Sequence, residues 1–246
     1  MGILPIQGNT SGACSTQMSG GSALSSTTPP LFSGSDLAPK GAIVYDLSCD
    51  GYMFDWGDDG AYHSHERSTY STSSQVSEKG KELLNNKEFM DKVVAIAKRI
   101  GCDFKDLLGV MRAESGLNPA AVNKSSGASG LIQFMPKTAQ GLGTSVEAIR
   151  NMSAVEQLAY VEKYLVNAKR SAGFRDGQKL SAGQLYALVF LPARANREVL
   201  TTSDEAYYRC NSATDTNGDG KITRAEMDAR AKHYNVDQYI PHEYLA

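Results

Sequence analysis

No stretch of this sequence approaches the roughly 18 uninterrupted apolar residues of a membrane-spanning helix, so no span is expected. An excess of one charge is missing too. Lys and Arg number 25 against 27 Asp and Glu, a formal net charge of -2. That balance argues against the basic surface with which nucleic acid is gripped. The N-terminus, MGILPIQGNTSGACSTQMSGG, has neither the basic start nor the apolar stretch of roughly 7–15 residues that marks a secretory signal. Cysteine is scarce as well. Cys14, Cys49, Cys102 and Cys210 show no CxxC spacing and are too few for a disulfide framework in 246 residues. Buried free thiols are expected, with one bridge as the alternative in an oxidising compartment.

What is present describes a soluble globular protein, with 41% hydrophobic and 21% charged residues and enough length to bury a core. Residues 1–80 are rich in Ser, Thr and Gly, a bias toward irregular structure. Within them, Ala42–Trp56 carries the aromatic and β-branched residues of a strand or a docking segment. This region reads as an attachment arm that orders against a partner, or else as a floppy leader with no role. His63-Ser64-His65-Glu66 sits in polar surroundings and reads as solvated, as do Lys92, Lys98 and Arg99 on a helix face.

From Ser77 onward the pattern turns helical. Phe89, Val93, Ile96 and Ile100 share one helix face, and Gly101 is placed to end that helix. Asp103 can cap the next helix, whose apolar stripe is Phe104, Leu107, Leu108 and Met111, with Gly116 and Pro119 stopping it. Thr144 with Glu147, Ser153 with Glu156, and Ser181 with Gln184 each fit a capping box. Helices are expected from Ala154 to about Arg170 and from about Ala182 towards Pro192, with a loop at Ser171–Gly177. Strand-like alternation is nearly absent beyond residue 80, so residues 81–246 are expected to form one mainly α domain.

The densest chemical signal is LLGVMRAESGLNPAAVNKSSGASGLIQFMPKTA, from Leu107 to Ala139. Glu114 falls at the end of an apolar helix, on the border of its buried stripe, where partial burial raises a carboxyl pKa. A general acid for glycoside cleavage needs that shift, because it must still hold its proton near neutral pH. After Glu114 no carboxylate occurs until Glu147, although a partner could still arrive from elsewhere in the chain. The gap suits a substrate-assisted route, in which the sugar's own N-acetyl group takes the place of a second carboxylate.

ESGLNP, GASGLIQFMP and KTA together resemble the catalytic motifs of the family 1 lytic transglycosylases, the soluble-lytic-transglycosylase or goose-type-lysozyme-like fold. The resemblance covers roughly Phe89 to Pro192 and extends more faintly to Glu226. It implies a lysozyme-like helical catalytic domain acting on bacterial peptidoglycan, with Glu114 as sole acid/base and Ser115 orienting the reacting sugar. The family's groove-lining GAxGLMQ motif maps to Gly127, Ala128, Gly130, Leu131 and Gln133, with Ile132 in place of Met. MSAVEQLAYVEKYL (Met152–Leu165) is similar to the following helix of phage-borne members. The Ala-Tyr-Asn-Ala-Gly motif of many cellular members is absent; LYALVFLPARA (Leu185–Ala195) stands there instead, and Tyr186 or Phe190 is the candidate substrate-side ring.

A second motif lies near the C-terminus. Asp215 to Glu226, DTNGDGKITRAE, matches the 12-residue EF-hand pattern throughout. Asp215, Asn217 and Asp219 offer side-chain oxygens, Lys221 its backbone carbonyl, Thr223 the position often served through water, and Glu226 a bidentate carboxylate. Gly220 permits the sharp turn. A single loop of this kind points to one structural Ca2+ rather than a sensor pair, and no cofactor is expected for the chemistry itself.

The reading is a peptidoglycan lytic transglycosylase. The arm and the phage-like motif variants point to a virion tail enzyme, held to tail or baseplate proteins and acting in the host periplasm during genome entry. The alternatives are a lysozyme-type hydrolase, a secretion-system effector or otherwise exported enzyme, and a non-catalytic glycan-binding virion protein.

Overall fold

In the computed structural model, residues 76–124 and 126–245 are described, and they belong to one compact unit. Ala42–Trp56, the His63–Glu66 cluster, Cys14, Cys49 and all of the expected arm up to residue 75 lie outside the described residues. The described part is mainly helical, as expected.

Helix α1 (Glu78–Leu84) starts where the helical pattern begins, its N-cap Ser77 accepting Gly80 N–H at 3.1 Å. Helix α2 (Lys87–Ile100) buries Phe89, Met90, Val93, Ile96 and Ala97 along one side and ends on Gly101 with φ 85°. Helix α3 (Phe104–Ser115) is capped by Asp103 on Lys105 N–H at 2.8 Å and closed by Gly116 at φ 64°. It runs through the middle of the domain. Leu107, Leu108, Val110 and Met111 are fully buried, so its apolar surface exceeds the stripe visible in the sequence.

Short helices α4 (Pro136–Gly141) and α5 (Val146–Asn151) lead to α6 (Ala154–Ser171). The α5 cap is Ser145, on Ala148 N–H at 3.1 Å, and not its neighbour Thr144. The capping boxes Ser153/Glu156 on α6 and Ser181/Gln184 on α7 (Ala182–Phe190) both form. Helix α6 packs along α2, and α7 is buried from end to end.

Beyond α7 the chain adds elements that alternation did not reveal. Strand β1 (Val199–Thr202) pairs antiparallel with β2 (Lys221–Thr223). Each is too short for a periodic signal. Between them lies α8 (Ala206–Asn211), and β2 runs directly into α9 (Arg224–His233). The strand pair is braced by Glu205, which accepts both Arg194 amino groups at 2.6 Å and the Thr201 hydroxyl at 2.8 Å. Those bonds, the Arg194 pair first, pull its carboxyl down to about 2. Cys102 is free and Cys210 is disulfide-bonded, in line with the single-bridge alternative.

Helix α9 packs against both α7 and α3. Its approach to α7 is close enough to require glycine, since a Cβ on Gly183 would overlap the carbonyl of Arg224. Gly183 N–H also donates to Asp228 Oδ1 at 3.2 Å. The two helices are therefore clamped near their N-terminal ends, which fixes what α9 presents to the end of α3.

Candidate active site

Glu114 stands on the last turn of α3 and is 7% exposed. Burial dominates its chemistry and holds the carboxyl pKa above the ordinary value, against the downward pull of the Arg230 charge and of a hydrogen bond from Tyr186. Its Oε2 is buried with no hydrogen-bond partner. Buried polar atoms are rarely left unsatisfied, and such exceptions concentrate where chemistry is done.

Tyr186, in the middle of α7, is 1% exposed and hydrogen-bonds the Glu114 carboxyl. Burial drives its own pKa well above the usual phenol value, so it stays protonated and acts as a donor. Its oxygen accepts Nε–H of Arg230 at 2.7 Å. Arg230 comes from α9 and lies 5.8 Å from the Tyr186 ring centre and 5.4 Å from that of Tyr234. Arg112 faces the same Tyr234 ring at 5.9 Å and donates to the Asn235 carbonyl at 2.5 Å. Three helices thus bring one carboxyl, one phenol and one guanidinium into a row. Phe190, the other candidate ring, packs edge-on against Tyr207 at 5.3 Å in the core.

The wall beside Glu114 is the loop between α3 and α4. Ser129 and Phe134 exchange backbone hydrogen bonds at 3.1 and 2.8 Å, and Gly130 N–H donates to Ala121 at 2.9 Å. Gly127 is partly exposed, whereas Ala128, Gly130, Leu131 and Gln133 are buried and shape the loop from behind its surface. At Gly130, with φ 82°, a Cβ would sit 2.6 Å from Gln157 Oε1, so only glycine fits. Gln133 adopts φ 53°, unusual outside glycine, and its Nε2 donates to the Gly130 carbonyl at 3.0 Å. Ser115 is 1% exposed, and its hydroxyl proton is shared between the carbonyls of Met111 and Leu131, each at 2.9 Å. The resemblance implies a sugar contact for Ser115; in this structure it braces the loop against α3.

Two organising residues escaped the sequence reading. Gln157, fully buried on α6, accepts Leu131 N–H at 2.9 Å and donates to the carbonyls of Pro119 and Ile149 at 2.6 and 2.9 Å. Arg230 is the other. A Gln and an Arg on amphipathic helices read as surface residues, and only tertiary contacts distinguish them.

The 215–226 loop connects α8 to α9. The Asp215 carboxylate collects N–H groups of Gly218 at 2.7 Å, Asp219 at 3.3 Å and Gly220 at 2.8 Å, and the Tyr208 hydroxyl at 2.7 Å. Asn217 accepts from Asp219 N–H and Asp219 from Lys221 N–H, each at 2.9 Å. Glu226 turns to Thr216 N–H at 2.7 Å and Thr223 N–H at 2.8 Å, forming with Thr223 the capping box of α9. Among the described residues no three His, Cys, Asp or Glu side chains converge as an ion site. The oxygen-only donor set has the chemistry calcium prefers, and Gly218 and Gly220 take the left-handed turns the loop needs. Both Glu226 oxygens already accept backbone N–H groups here.

The helical domain thus holds one buried carboxyl whose pKa is raised by burial, hydrogen-bonded by a phenol from a second helix. In the same region, residues 93–162 match the family described as the transglycosylase SLT domain. The match runs from α2 to α6 and includes Glu114 and the bracing loop; Tyr186 and Arg230 lie beyond it. No curated protein and no solved structure matches the chain.

Proposed function

We propose that the protein cleaves the β-1,4 bond between N-acetylmuramic acid and N-acetylglucosamine, with Glu114 as acid and then base. The observation that carries this is the buried Glu114 carboxyl, raised in pKa and with Oε2 left without a partner. Protonated Glu114 gives its proton to the glycosidic oxygen as the C1–O bond breaks. The N-acetyl oxygen of the muramic acid closes on C1, forming an oxazolinium and holding the positive charge. The Glu114 carboxylate then takes the proton of the sugar's 6-hydroxyl, whose oxygen attacks C1. The N-acetyl group is released, a 1,6-anhydro ring forms and Glu114 is protonated again. Water is not consumed.

Digestion of purified peptidoglycan, with soluble products read by mass spectrometry, tests the reading. Products ending in 1,6-anhydro-N-acetylmuramic acid are expected, and Glu114→Gln should lower turnover by at least ~1,000-fold with the fold retained. Reducing-end products, heavier by one water, would make the enzyme a lysozyme-type hydrolase. Turnover by neither route would leave a glycan-binding protein.

The setting is proposed on composition and on motif variants. A Ser/Thr/Gly-rich region over residues 1–80 suits an arm that grips tail or baseplate proteins, and MSAVEQLAYVEKYL (Met152–Leu165) resembles the corresponding helix of phage-borne family members. On that reading the enzyme travels in the virion tail and opens the wall in the host periplasm. Antibody labelling of purified particles should mark the tail; label confined to cell extracts would favour an exported or effector enzyme. One structural Ca2+ is proposed for Asp215, Asn217, Asp219, Lys221, Thr223 and Glu226, on the donor chemistry of the loop.

A further inference from the structure

A carboxyl that works as acid and base has two oxygens, and the proton that leaves rides on one of them. The two oxygens of Glu114 are not alike. The carboxyl is hydrogen-bonded by Tyr186, while Oε2 is buried without a partner. The Tyr186 oxygen is itself engaged by Nε–H of Arg230 at 2.7 Å. A phenol with an N–H donor on its oxygen directs its own O–H elsewhere, and here the group it meets is the Glu114 carboxyl.

We infer that Arg230 is a positioning residue for the reaction: acting through Tyr186, it holds the Glu114 carboxyl in one orientation, with the transferable proton on Oε2. This rests on Glu114 being the acid/base. The geometry gives Arg230 little freedom. Helix α9 is clamped on α7 at Gly183, its first turn is tied by the Thr223/Glu226 box, and the guanidinium lies against the rings of Tyr186 and Tyr234. Tyr186 from α7 and Arg230 from α9 face Glu114, and Tyr186, Tyr234 and Glu114 are among the groups that face Arg230. The Arg230 charge acts on the Glu114 carboxyl in the downward direction, opposing burial, so it also sets how far that carboxyl is raised.

A merely structural arginine and a positioning one separate in their pH behaviour. The test uses the full chain on purified, solubilised glycan strands, with kcat and KM measured across pH. Melting temperature and the 13C titration of the Glu114 carboxyl are followed beside them. For Arg230→Gln the expectation is kcat lower by ~10–100-fold with KM within about twofold. Its alkaline limb and the 13C midpoint should move to higher pH, because the cation favouring the carboxylate is gone. Arg230→Lys should return the limb towards its wild-type position while kcat stays about 10-fold down, since a lysine restores charge but not the aimed Nε–H. Adding Arg230→Gln to Tyr186→Phe should cost little beyond Tyr186→Phe alone, because both act along one path.

Wild-type kcat and pH profile in Arg230→Gln would overturn the inference. So would a lower kcat and melting temperature with an unmoved limb, which would assign Arg230 to the fold alone. Should Arg230→Gln fail to fold, Arg230→Lys decides: reduced kcat with its limb kept supports the inference, and unchanged kcat overturns it. Full activity in Glu114→Gln would instead remove the acid/base reading beneath it, an outcome distinct from the others.

Discussion

At the scale of the residue, Glu114 shows how burial raises the pKa of an ordinary carboxyl, as the proposed acid/base role requires. Spacing in the sequence places it at the edge of an apolar helix, but spacing alone cannot say that Tyr186 and Arg230 close over it. The consequence for stability has a definite sign. The folded protein holds the Glu114 proton at pH values where the unfolded chain has released it. Stability tied to that proton is fully present below the ordinary pKa of 4.5 and is lost as pH rises through the raised folded value. Glu114→Gln keeps the shape and removes the titration. The variant should melt with the wild type near pH 4 and above it at neutral pH, by about 1–3 kcal/mol for a buried carboxylate relieved of its charge. Melting curves across pH check this, and a gap independent of pH would contradict the raised pKa.

At the scale of the element, what was legible in the sequence was local. The caps Asp103, Ser153 and Ser181 and the stop at Gly116 were readable because each acts within one helical turn. Thr144 and Ser145 compete for one cap from adjacent positions, and sequence alone does not rank two neighbouring hydroxyls. The loop around Ser129 is a different case. Its motif was recognisable, but its support is Gln157 on α6, far along the chain. Gln157→Leu, close in size and without hydrogen-bonding groups, would leave Leu131 N–H and the Pro119 and Ile149 carbonyls without their partner. A loss of about 2–4 kcal/mol in stability is expected, allowing for partial rearrangement of the loop. Because the loop carries the residues that the family resemblance places along the glycan groove, KM for glycan should rise more than kcat falls. An unmoved melting temperature would show that the loop is held from elsewhere.

At the scale of the whole molecule, the recognisable family segment and the C-terminal helices have to be taken together. Residues 93–162 supply the carboxyl and the loop, whereas α7 and α9 supply the groups that aim and tune that carboxyl. Helix α9 grows directly out of the 215–226 loop, with Glu226 in its first turn and Arg230 one turn further on. An ion bound in that loop would therefore fix the base of the helix that carries Arg230. The Glu226 oxygens proposed to coordinate Ca2+ already accept Thr216 N–H and Thr223 N–H. With free Ca2+ at about 100 times its Kd, mass action contributes about 2.7 kcal/mol, a rise of roughly 5–10 °C in Tm for a domain of this size. Chelation should reverse that rise, and Glu226→Gln, which removes the bidentate carboxylate, should abolish it. If Arg230 follows the base of its helix, chelation should also lower kcat at fixed pH while leaving KM nearly unchanged. A Tm indifferent to both Ca2+ and chelator would mean that Asp215 and Glu226 serve only to hold a tight turn and a helix cap. The strong EF-hand pattern would then mark a scaffold for α9 rather than an ion site.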